Sequence, residues 1–156
     1  MKSKLFKLFA IVFAAVAFNA QAQQADQPKP QTPAALKGGQ VISAKVAKQL
    51  ADTKGAMFFD MRSAINYGKG HLPDAKALPY RENSDFTVDF DAGKDQFDVK
   101  ALPTDKSAKI VFYSDGPQGW KSYKASVLAI KDSYTNVHYF RGGTDEWSKA
   151  GFAFQK

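Results

Sequence analysis

The central stretch of the chain is residues 109–120, which read Lys-Ile-Val-Phe-Tyr-Ser-Asp-Gly-Pro-Gln-Gly-Trp. Residues 109–113 form the clearest strand pattern in the sequence, because a continuous apolar run of this length is typical of a buried parallel strand. Residues 114–119 are polar or turn-forming and predict a loop. Trp120 then begins an apolar stripe at helical spacing, so we expect a strand, a loop and a helix in that order.

Strand and helix patterns alternate along the rest of the folded chain. We predict further strands at 41–42, 56–61, 77–78 and 137–140, and further helices at 43–52, at 63–67 and around Trp147. This alternation predicts an α/β domain with a central parallel sheet flanked by helices on both faces. Because ligands of such sheets bind beyond the carboxyl ends of the strands, the loop 114–119 is the expected site.

Capping residues and apolar spacing give finer expectations for the first and last helices. Ser43 and Thr144 are predicted N-caps, because their hydroxyl groups can accept hydrogen bonds from the first backbone N–H groups of a helix. Val46, Ala47 and Leu50 have helical spacing and are expected to share the buried face of the first helix.

Residues 81–105 are more polar than the segments around them and predict an insertion of mainly loop character. The three phenylalanines of this insertion are expected to fasten it to the domain. An exposed aromatic patch that binds a protein partner is the alternative. These residues are Phe86, Phe90 and Phe97.

The N-terminal segment has the features of a secretory signal peptide. Residues 1–22 combine three lysines, the apolar run 8–18 and the triplet Ala-Gln-Ala at 20–22. A membrane anchor is the alternative, which the short apolar run disfavours because a bilayer span needs about 20 residues. Residues 23–39 are rich in proline and glutamine and predict a disordered spacer. We therefore expect a folded domain over 40–156, exported to the periplasm and not inserted in the membrane.

Composition excludes several classes of function. The chain has 156 residues and no cysteine, which excludes disulfides, cysteine-ligated metal sites and a thiol nucleophile. With two histidines, a histidine-rich metal site is not expected, and no motif calls for a cofactor. The formal charge of +7 includes the three lysines of the leader. The mild excess that remains in the exported chain does not indicate a nucleic-acid-binding protein.

Two groups of residues carry a family resemblance. The first is Phe59-Asp60-Met61-Arg62 followed by Gly70-His71-Leu72-Pro73-Asp74-Ala75, and the second is Arg141-Gly142-Gly143, Trp147 and Ala150-Gly151-Phe152. Both resemble rhodanese-like domains, in which Asp-x-Arg closes a strand and a Gly-His-Ile-Pro-Gly-Ala loop follows. The resemblance covers about residues 40–154. It implies a sheet-end loop with a catalytic cysteine, and sulfur transfer through a persulfide on that cysteine.

The chain departs from this family at the residue that carries the chemistry. The loop begins with Ser114 where active relatives have the cysteine, and Gly119 stands where relatives often have a basic residue or a second cysteine. Because oxygen cannot carry a sulfane sulfur, sulfurtransferase turnover is not expected, and whether the chain is an enzyme stays open. A serine engineered into a natural cysteine position is disfavoured by the intact leader and by Gly119.

Two classes of function remain. The first is a non-catalytic module that binds a small oxyanion or a protein of the cell envelope. The second is an enzyme, either a sulfurtransferase that uses an external thiol or a hydrolase with Ser114 as its nucleophile. A serine nucleophile needs a general base. The two histidines, His71 and His138, are interpreted as structural, although His71 is the better candidate base.

Two residues outside the loop are candidate contributors to the site, namely Arg62 and His71. A guanidinium group binds oxyanions bidentately, but we favour an Arg62 that pairs with Asp60 and fixes the strand end. Lys121 could reach an anion, but we expect it to be solvated. Trp120 is expected to be part of the core or of the pocket wall.

The loop and the first turn of the following helix form the candidate anion-binding site. Backbone N–H groups converge at a helix N-terminus, where the helix dipole adds positive potential. Gly116 and Gly119 allow a ligand to approach the backbone closely, and Asp115 is expected to face solvent. The candidate residues are Ser114, Asp115, Gly116, Pro117, Gln118, Gly119, Trp120 and Lys121.

We predict that the mature protein begins near Gln23 and is soluble in the periplasm, because the small-x-small triplet at 20–22 is typical of a signal-peptide cleavage site. N-terminal sequencing of the protein from a periplasmic extract measures this directly. An intact Met1 found in a membrane fraction would contradict the prediction.

Overall fold

The computed structural model describes residues 28–156, so the predicted leader and residues 23–27 of the predicted spacer lie outside the described residues. Its strands are β1 Gln40–Val41, β2 Met57–Asp60, β3 Lys76–Ala77, β4 Ile110–Tyr113 and β5 Val137–Phe140. Its α-helices are α1 Ala44–Asp52, α2 Ala64–Lys69, α3 Trp120–Lys131 and α4 Gly143–Lys149. None of the helices within 28–156 has the length and apolar character that crossing a membrane requires.

All five strands form one parallel sheet in the order β1-β5-β4-β2-β3. Strand β4 lies at its centre and pairs along its whole length with β2 on one side and β5 on the other. This arrangement confirms the predicted parallel α/β fold. It also places the residue after β4, Ser114, in the middle of the carboxyl-terminal sheet edge.

The residues of β4 alternate between two cores. Ile110 and Phe112 pack with residues of α3 and of the insertion 81–105, whereas Val111 and Tyr113 pack with residues of α1 and α4. All four side chains are fully buried, as a central strand covered on both faces requires. Helices therefore flank both faces of the sheet, as predicted.

The prediction for the buried face of α1 is wrong at Val46. Ser43 caps this helix as expected, and its Oγ accepts a hydrogen bond from the Val46 N–H group. Val46 itself is 40% exposed, whereas Ala44 and Ala47 are buried. The buried face contains Ala44 and Ala47, and Val46 lies about 100° around the helix axis from Ala47, which places it at the solvent side.

The prediction that Thr144 caps α4 is also wrong. The helix begins at Gly143, so Thr144 lies inside it and the cap position falls on Gly142, which has no side chain. The Thr144 N–H group instead donates to the carbonyl oxygen of Ser114 at 3.0 Å. Gly143 has a left-handed φ of 52°. A Cβ atom there would lie 2.2 Å from the same carbonyl oxygen, so only glycine allows α4 to approach the loop so closely.

Residues 28–39 differ from the disordered spacer predicted for 23–39. They form no helix or strand, but Thr32 and Leu36 are buried. The Thr32 N–H group donates to the Pro117 carbonyl at 2.8 Å, and its hydroxyl lies 2.8 Å from the hydroxyl of Tyr139. Composition predicted disorder because the segment has few apolar residues, whereas its order comes from hydrogen bonds that composition does not record.

The insertion 81–105 has two short 3₁₀ turns, Ala92–Lys94 and Val99–Ala101, and is otherwise loop, as predicted. Its aromatic residues fasten it to the domain. Phe97 packs on Phe112 with ring centroids 6.2 Å apart, and Phe86 packs on Trp120 at 6.3 Å. Phe90 is buried.

A buried lysine of α3 adds a polar anchor for the insertion. The Lys124 Nζ atom donates to Ser84 Oγ at 2.8 Å and lies 3.5 Å from Asp95 Oδ2. Asp95 accepts hydrogen bonds from Tyr80 Oη at 2.7 Å and from the Ser84 N–H group at 2.7 Å. Burial alone would raise the pKa of Asp95, but these hydrogen bonds outweigh it and lower the pKa to about 2.

We predict that Asp95→Asn lowers the free energy of unfolding by about 2 kcal/mol near pH 7. The pKa of Asp95 is lower in the folded protein than in the unfolded chain, where it is about 3.9. The carboxylate therefore contributes its full stabilisation when the pH is above the pKa of the unfolded chain. This contribution is lost as the pH falls towards the folded-state pKa of about 2.

The difference in the free energy of unfolding between the wild type and Asp95→Asn should accordingly decrease as the pH is lowered. Urea unfolding at neutral pH and at about pH 3 measures it. Asp89→Asn is the matched control, since Asp89 is an exposed residue of the same insertion. A stability difference that stays constant over this range would contradict the prediction.

Candidate functional site

A buried carboxylate fixes the sheet end from which the loop 114–119 leaves. Asp60 ends β2, is fully buried, and accepts hydrogen bonds from Arg62 Nη2 at 2.6 Å and Tyr113 Oη at 2.8 Å. The hydroxyl of Tyr113 in turn accepts from the Leu72 N–H group at 3.1 Å. Arg62 Nη2 also donates to the Gly70 carbonyl at 2.7 Å. The expected Asp60–Arg62 pair therefore joins β2, β4 and the loop that begins at Gly70.

The surroundings of this pair keep Arg62 charged and Tyr113 protonated. Burial would lower the pKa of Arg62, but the hydrogen bonds and charge of Asp60 outweigh it and raise the pKa above its ordinary value. Burial and the neighbouring Asp60 raise the pKa of Tyr113. Because Arg62 uses its Nε and Nη2 groups on Asp60 and Gly70, its role is to support the sheet end.

The first turn of α4 donates hydrogen bonds to the carbonyl groups at the start of the loop. The Thr144 N–H group donates to the Ser114 carbonyl at 3.0 Å, and the Asp145 N–H group donates to the Asp115 carbonyl at 2.8 Å. These two bonds fix the orientation of the peptide groups at the start of the loop. Because the C=O and N–H of a trans peptide group point in opposite directions, the N–H groups that adjoin these carbonyls point away from α4.

The N–H groups of the loop are mostly free. Gly119 N donates to the Gly116 carbonyl at 2.7 Å and closes a turn. The N–H groups of Asp115, Gly116 and Gln118 have no acceptor within residues 28–156. Helix α3 begins directly after Gly119 without a side-chain cap. Free donors beside an uncapped helix N-terminus form an arrangement that can bind an anion.

Ser114 lies at the base of this arrangement. It is 2% exposed, and no hydrogen-bond partner for its Oγ lies within the described residues. A Cβ atom on Gly119 would come within 3.0 Å of that Oγ and 2.8 Å of the Gly116 carbonyl. Gly119 therefore allows the loop to fold over Ser114, which explains why a side chain is absent at this position.

Both histidines have structural contacts away from Ser114, as predicted. The His71 ring stacks on Tyr67 with centroids 3.9 Å apart, and its Nδ1 lies 3.2 Å from the Tyr67 carbonyl. His138 Nε2 lies 3.0 Å from Asn136 Oδ1. Within the described residues neither histidine bonds to Ser114, so neither is placed as its general base.

The loop lines a cavity of about 580 Å³. All eight candidate residues from Ser114 to Lys121 line it, so the structure brings together the residues that the sequence placed at the site. Four further residues complete the wall: Lys29, Gln31, Glu82 and Asp145. Arg62 and His71, the candidate contributors from outside the loop, do not line this cavity.

Three of the residues that sequence reasoning missed add charge to the cavity, beside the predicted Asp115 and Lys121. Lys29 and Glu82, which both line it, form an ion pair with each other. The Asp145 carboxylate lies against Gly116, where an added Cβ atom would be 2.6 Å from its Oδ2. Asp115 is exposed overall but also lines the cavity. Partial burial of its carboxyl group raises its pKa, and the nearby charge of Arg62 opposes this effect. Acidic groups therefore surround the free amides.

Residues 29–32 form a segment, here called the strap, that crosses the loop and the start of α3. Three side chains of the domain donate to its carbonyl groups: Gln118 to Lys29 at 2.7 Å, Trp120 to Pro30 at 2.8 Å and Arg141 to Thr32 at 2.9 Å. The strap brings Lys29 and Gln31 to the cavity. Trp120 is thus buried and also lines the cavity, as expected.

Comparison with known proteins identifies one family. The family model of the rhodanese-like domain matches residues 43–150. A tRNA uridine(34) hydroxylase of Sodalis glossinidius is 31% identical over 114 residues, which cover 71% of this chain and 29% of the hydroxylase. A protein of the same name from Yersinia pestis is 29% identical over 114 residues, 71% of this chain and 28% of that protein. The chain thus spans less than a third of the length of these relatives.

Solved structures agree with the observed fold. A rhodanese-like domain from Anabaena sp. superposes with a TM-score of 0.53 at 22% identity, covering 73% of this chain and 76% of that one. A thiosulfate sulfurtransferase from Pseudomonas aeruginosa superposes with a TM-score of 0.57 at 18% identity, covering 76% of this chain and 20% of that one. At these identities the likeness establishes the fold alone.

Proposed function

Because the chain belongs to the rhodanese-like domain family, we propose that it is a periplasmic oxyanion-binding member without sulfurtransferase turnover. One observation carries the proposal. The N–H groups of Asp115, Gly116 and Gln118 have no acceptor within residues 28–156, and all three residues line the cavity at the start of α3. Three free donors within one short loop suit the several oxygen atoms of a sulfate, thiosulfate or phosphate ion.

The loop binds an anion without needing a reactive side chain. Its donors are backbone groups, and α4 and the strap hold them in place whatever residue stands at position 114. Helix α3 is 12 residues long, so its dipole adds positive potential at the loop. Lys121 lines the cavity and supplies a cation. Asp115 and Asp145 oppose binding, and we expect a dissociation constant on the order of millimolar.

The absence of turnover follows from the chemistry of Ser114. A sulfane sulfur is carried by a second sulfur atom, and the chain contains no cysteine. For a hydrolase, the Ser114 hydroxyl would need a base, yet its Oγ has no partner within the described residues. No contact of the described residues favours an external thiol. We therefore propose binding in preference to either enzymatic alternative.

The proposed location follows from the leader sequence. Residues 1–22 have the basic start, apolar run and small-x-small triplet of an exported protein. A chain without cysteine is also suited to an oxidising compartment, since it has no thiol to oxidise.

We predict that sulfate, thiosulfate and phosphate each shift the amide NMR signals of Asp115, Gly116 and Gln118, with saturation in the millimolar range. Ser114→Ala should retain these shifts, because the donors belong to the backbone. Gly119→Ala should lose them, because the new Cβ atom would meet the Gly116 carbonyl at 2.8 Å and distort the loop.

The spectrum of the rest of the domain is the control for folding of both variants. Shifts confined to residues outside 114–121 would contradict an anion-binding loop. A site for an envelope protein would then be the better account of this surface.

We further predict that the wild type and Ser114→Ala both stay at background in a thiosulfate:cyanide sulfurtransferase assay. Ser114→Cys should slowly take the outer sulfur of thiosulfate and release sulfite, because its thiolate is the nucleophile that the serine cannot supply. Mass spectrometry detects the persulfide, and thiocyanate formation measures turnover. A wild-type thiocyanate signal that Ser114→Ala abolishes would overturn the proposed absence of turnover.

A further inference from the structure

Each free amide of the loop belongs to a peptide group whose carbonyl is held from outside the loop. In a trans peptide group, the carbonyl of one residue and the N–H group of the next lie in one plane and point in opposite directions. Helix α4 holds two of these carbonyls, since the N–H groups of Thr144 and Asp145 donate to Ser114 and Asp115. The orientation of the Asp115 and Gly116 N–H groups is therefore set by α4.

The third free amide, that of Gln118, is oriented by the strap instead. Its peptide group contains the carbonyl of Pro117, which accepts hydrogen bonds from the Thr32 N–H group at 2.8 Å and from the Thr32 hydroxyl at 2.9 Å. Thr32 is 3% exposed and does not line the cavity, whereas Gln118 does. The two bonds fix this carbonyl on the side of Thr32 and leave the Gln118 N–H group on the opposite side.

Thr32 is in turn positioned by β5 and the residue after it. Its hydroxyl lies 2.8 Å from the hydroxyl of Tyr139, and Arg141 Nη2 donates to its carbonyl at 2.9 Å. Thr32 precedes the family match at 43–150. One of the three donors of the loop thus depends on a residue that the matched part of the chain does not contain.

The rest of the strap is held by separate polar contacts at the surface. Residues 29–31 are exposed. The carbonyl groups of Lys29 and Pro30 each accept one hydrogen bond, from Gln118 Nε2 at 2.7 Å and from Trp120 Nε1 at 2.8 Å. Single neutral hydrogen bonds stabilise a segment only weakly, and such segments open locally more readily than core strands. We therefore expect the strap to open without unfolding of the sheet.

We propose that Thr32 is a positioning residue of the anion-binding loop, and that closure of the strap and binding of an oxyanion stabilise each other. This inference rests on the proposed function. When the strap is closed, all three amides are held in place for the anion. When it is open, the Pro117 carbonyl loses both donors from Thr32, and the Gln118 N–H group is no longer fixed. An anion that binds the closed form more tightly must also hold the strap closed, because coupling between two equilibria is reciprocal.

Thr32→Pro, made in the mature full-length protein, removes the N–H group and the hydroxyl together. Because residue 32 already precedes Pro33, its backbone is biased towards the extended region that proline adopts. We expect sulfate to bind about tenfold more weakly, since one hydrogen bond to a charged group is worth roughly that factor. In amide NMR the response of Gln118 to sulfate should be lost, whereas Asp115 and Gly116, which α4 holds, should still shift.

Two further substitutions grade the effect. Thr32→Ser is the matched control, because it keeps both donors, and it should bind sulfate within about twofold of the wild type. Thr32→Val keeps the N–H group alone, so its affinity should lie between those of Thr32→Ser and Thr32→Pro. A general loss of folding would instead change the signals of the whole domain.

The second measurement uses the wild type and requires no variant. The chain has two tryptophans, and both indole N–H groups donate to carbonyls, Trp120 to Pro30 of the strap and Trp147 to Ala153. Hydrogen exchange of the Trp120 indole reports opening of the strap, and the Trp147 indole is the internal control. Saturating sulfate should slow exchange at Trp120 about tenfold relative to chloride at equal ionic strength, which is the same factor as the change in affinity. Exchange at Trp147 should stay unchanged.

The outcomes separate this inference from the proposed function. If sulfate shifts no amide of residues 114–121 in the wild type, the oxyanion function fails and the coupling to the strap fails with it. If these amides shift but Thr32→Pro binds sulfate as tightly as the wild type, with Gln118 still responding, the oxyanion function stands and the role of Thr32 is overturned. A Trp120 exchange rate that sulfate leaves unchanged overturns the coupling, whatever the variants show.

Discussion

The buried carboxylate of Asp60 is the interaction on which the site depends. A buried ion pair is poor evidence for stability by itself, because desolvation of two charges offsets their attraction. Here the carboxylate also accepts from Tyr113 Oη and from the Arg62 backbone N–H group, so both of its oxygens are satisfied. Tyr113 is the last residue of β4, and the next residue, Ser114, begins the loop. The same acid that closes β2 therefore fixes where the loop starts, and its removal would leave Arg62 buried without a counter-charge.

From that point the loop is shaped by its neighbours more than by its own side chains. Gly143 lets α4 come close enough to donate to the Ser114 carbonyl, and Thr32 of the strap donates to the Pro117 carbonyl. These contacts come from both ends of the chain and involve backbone groups. For this reason the shape of the loop does not depend on the side chain at position 114, and the proposed anion binding requires no cysteine.

Features that depend on a local residue pattern could be predicted from the sequence. A central parallel strand is apolar on both faces, so β4 and the contiguous loop after it were predictable, and all eight residues of that loop region line the cavity. Lys29 and Glu82 were not, because they reach the cavity from segments far apart in the chain. Their positions depend on bonds to strap carbonyls and on packing of the insertion, neither of which leaves a periodic pattern. The misplaced cap at Thr144 has the same origin, since a tertiary contact at Gly143 sets the start of α4.

The charge of the cavity is a second feature, beside Ser114, that supports the proposed absence of sulfurtransferase turnover. A persulfide-carrying cysteine needs a stabilised thiolate, and positive potential at a helix N-terminus supplies part of it. Here the carboxylates of Asp115, Asp145 and Glu82 stand around the same loop. Each would raise the pKa of a thiol placed at position 114 and so disfavour its reactive form. The acidic wall and the serine are therefore consistent with each other, because both disfavour a reactive thiolate at the start of the loop.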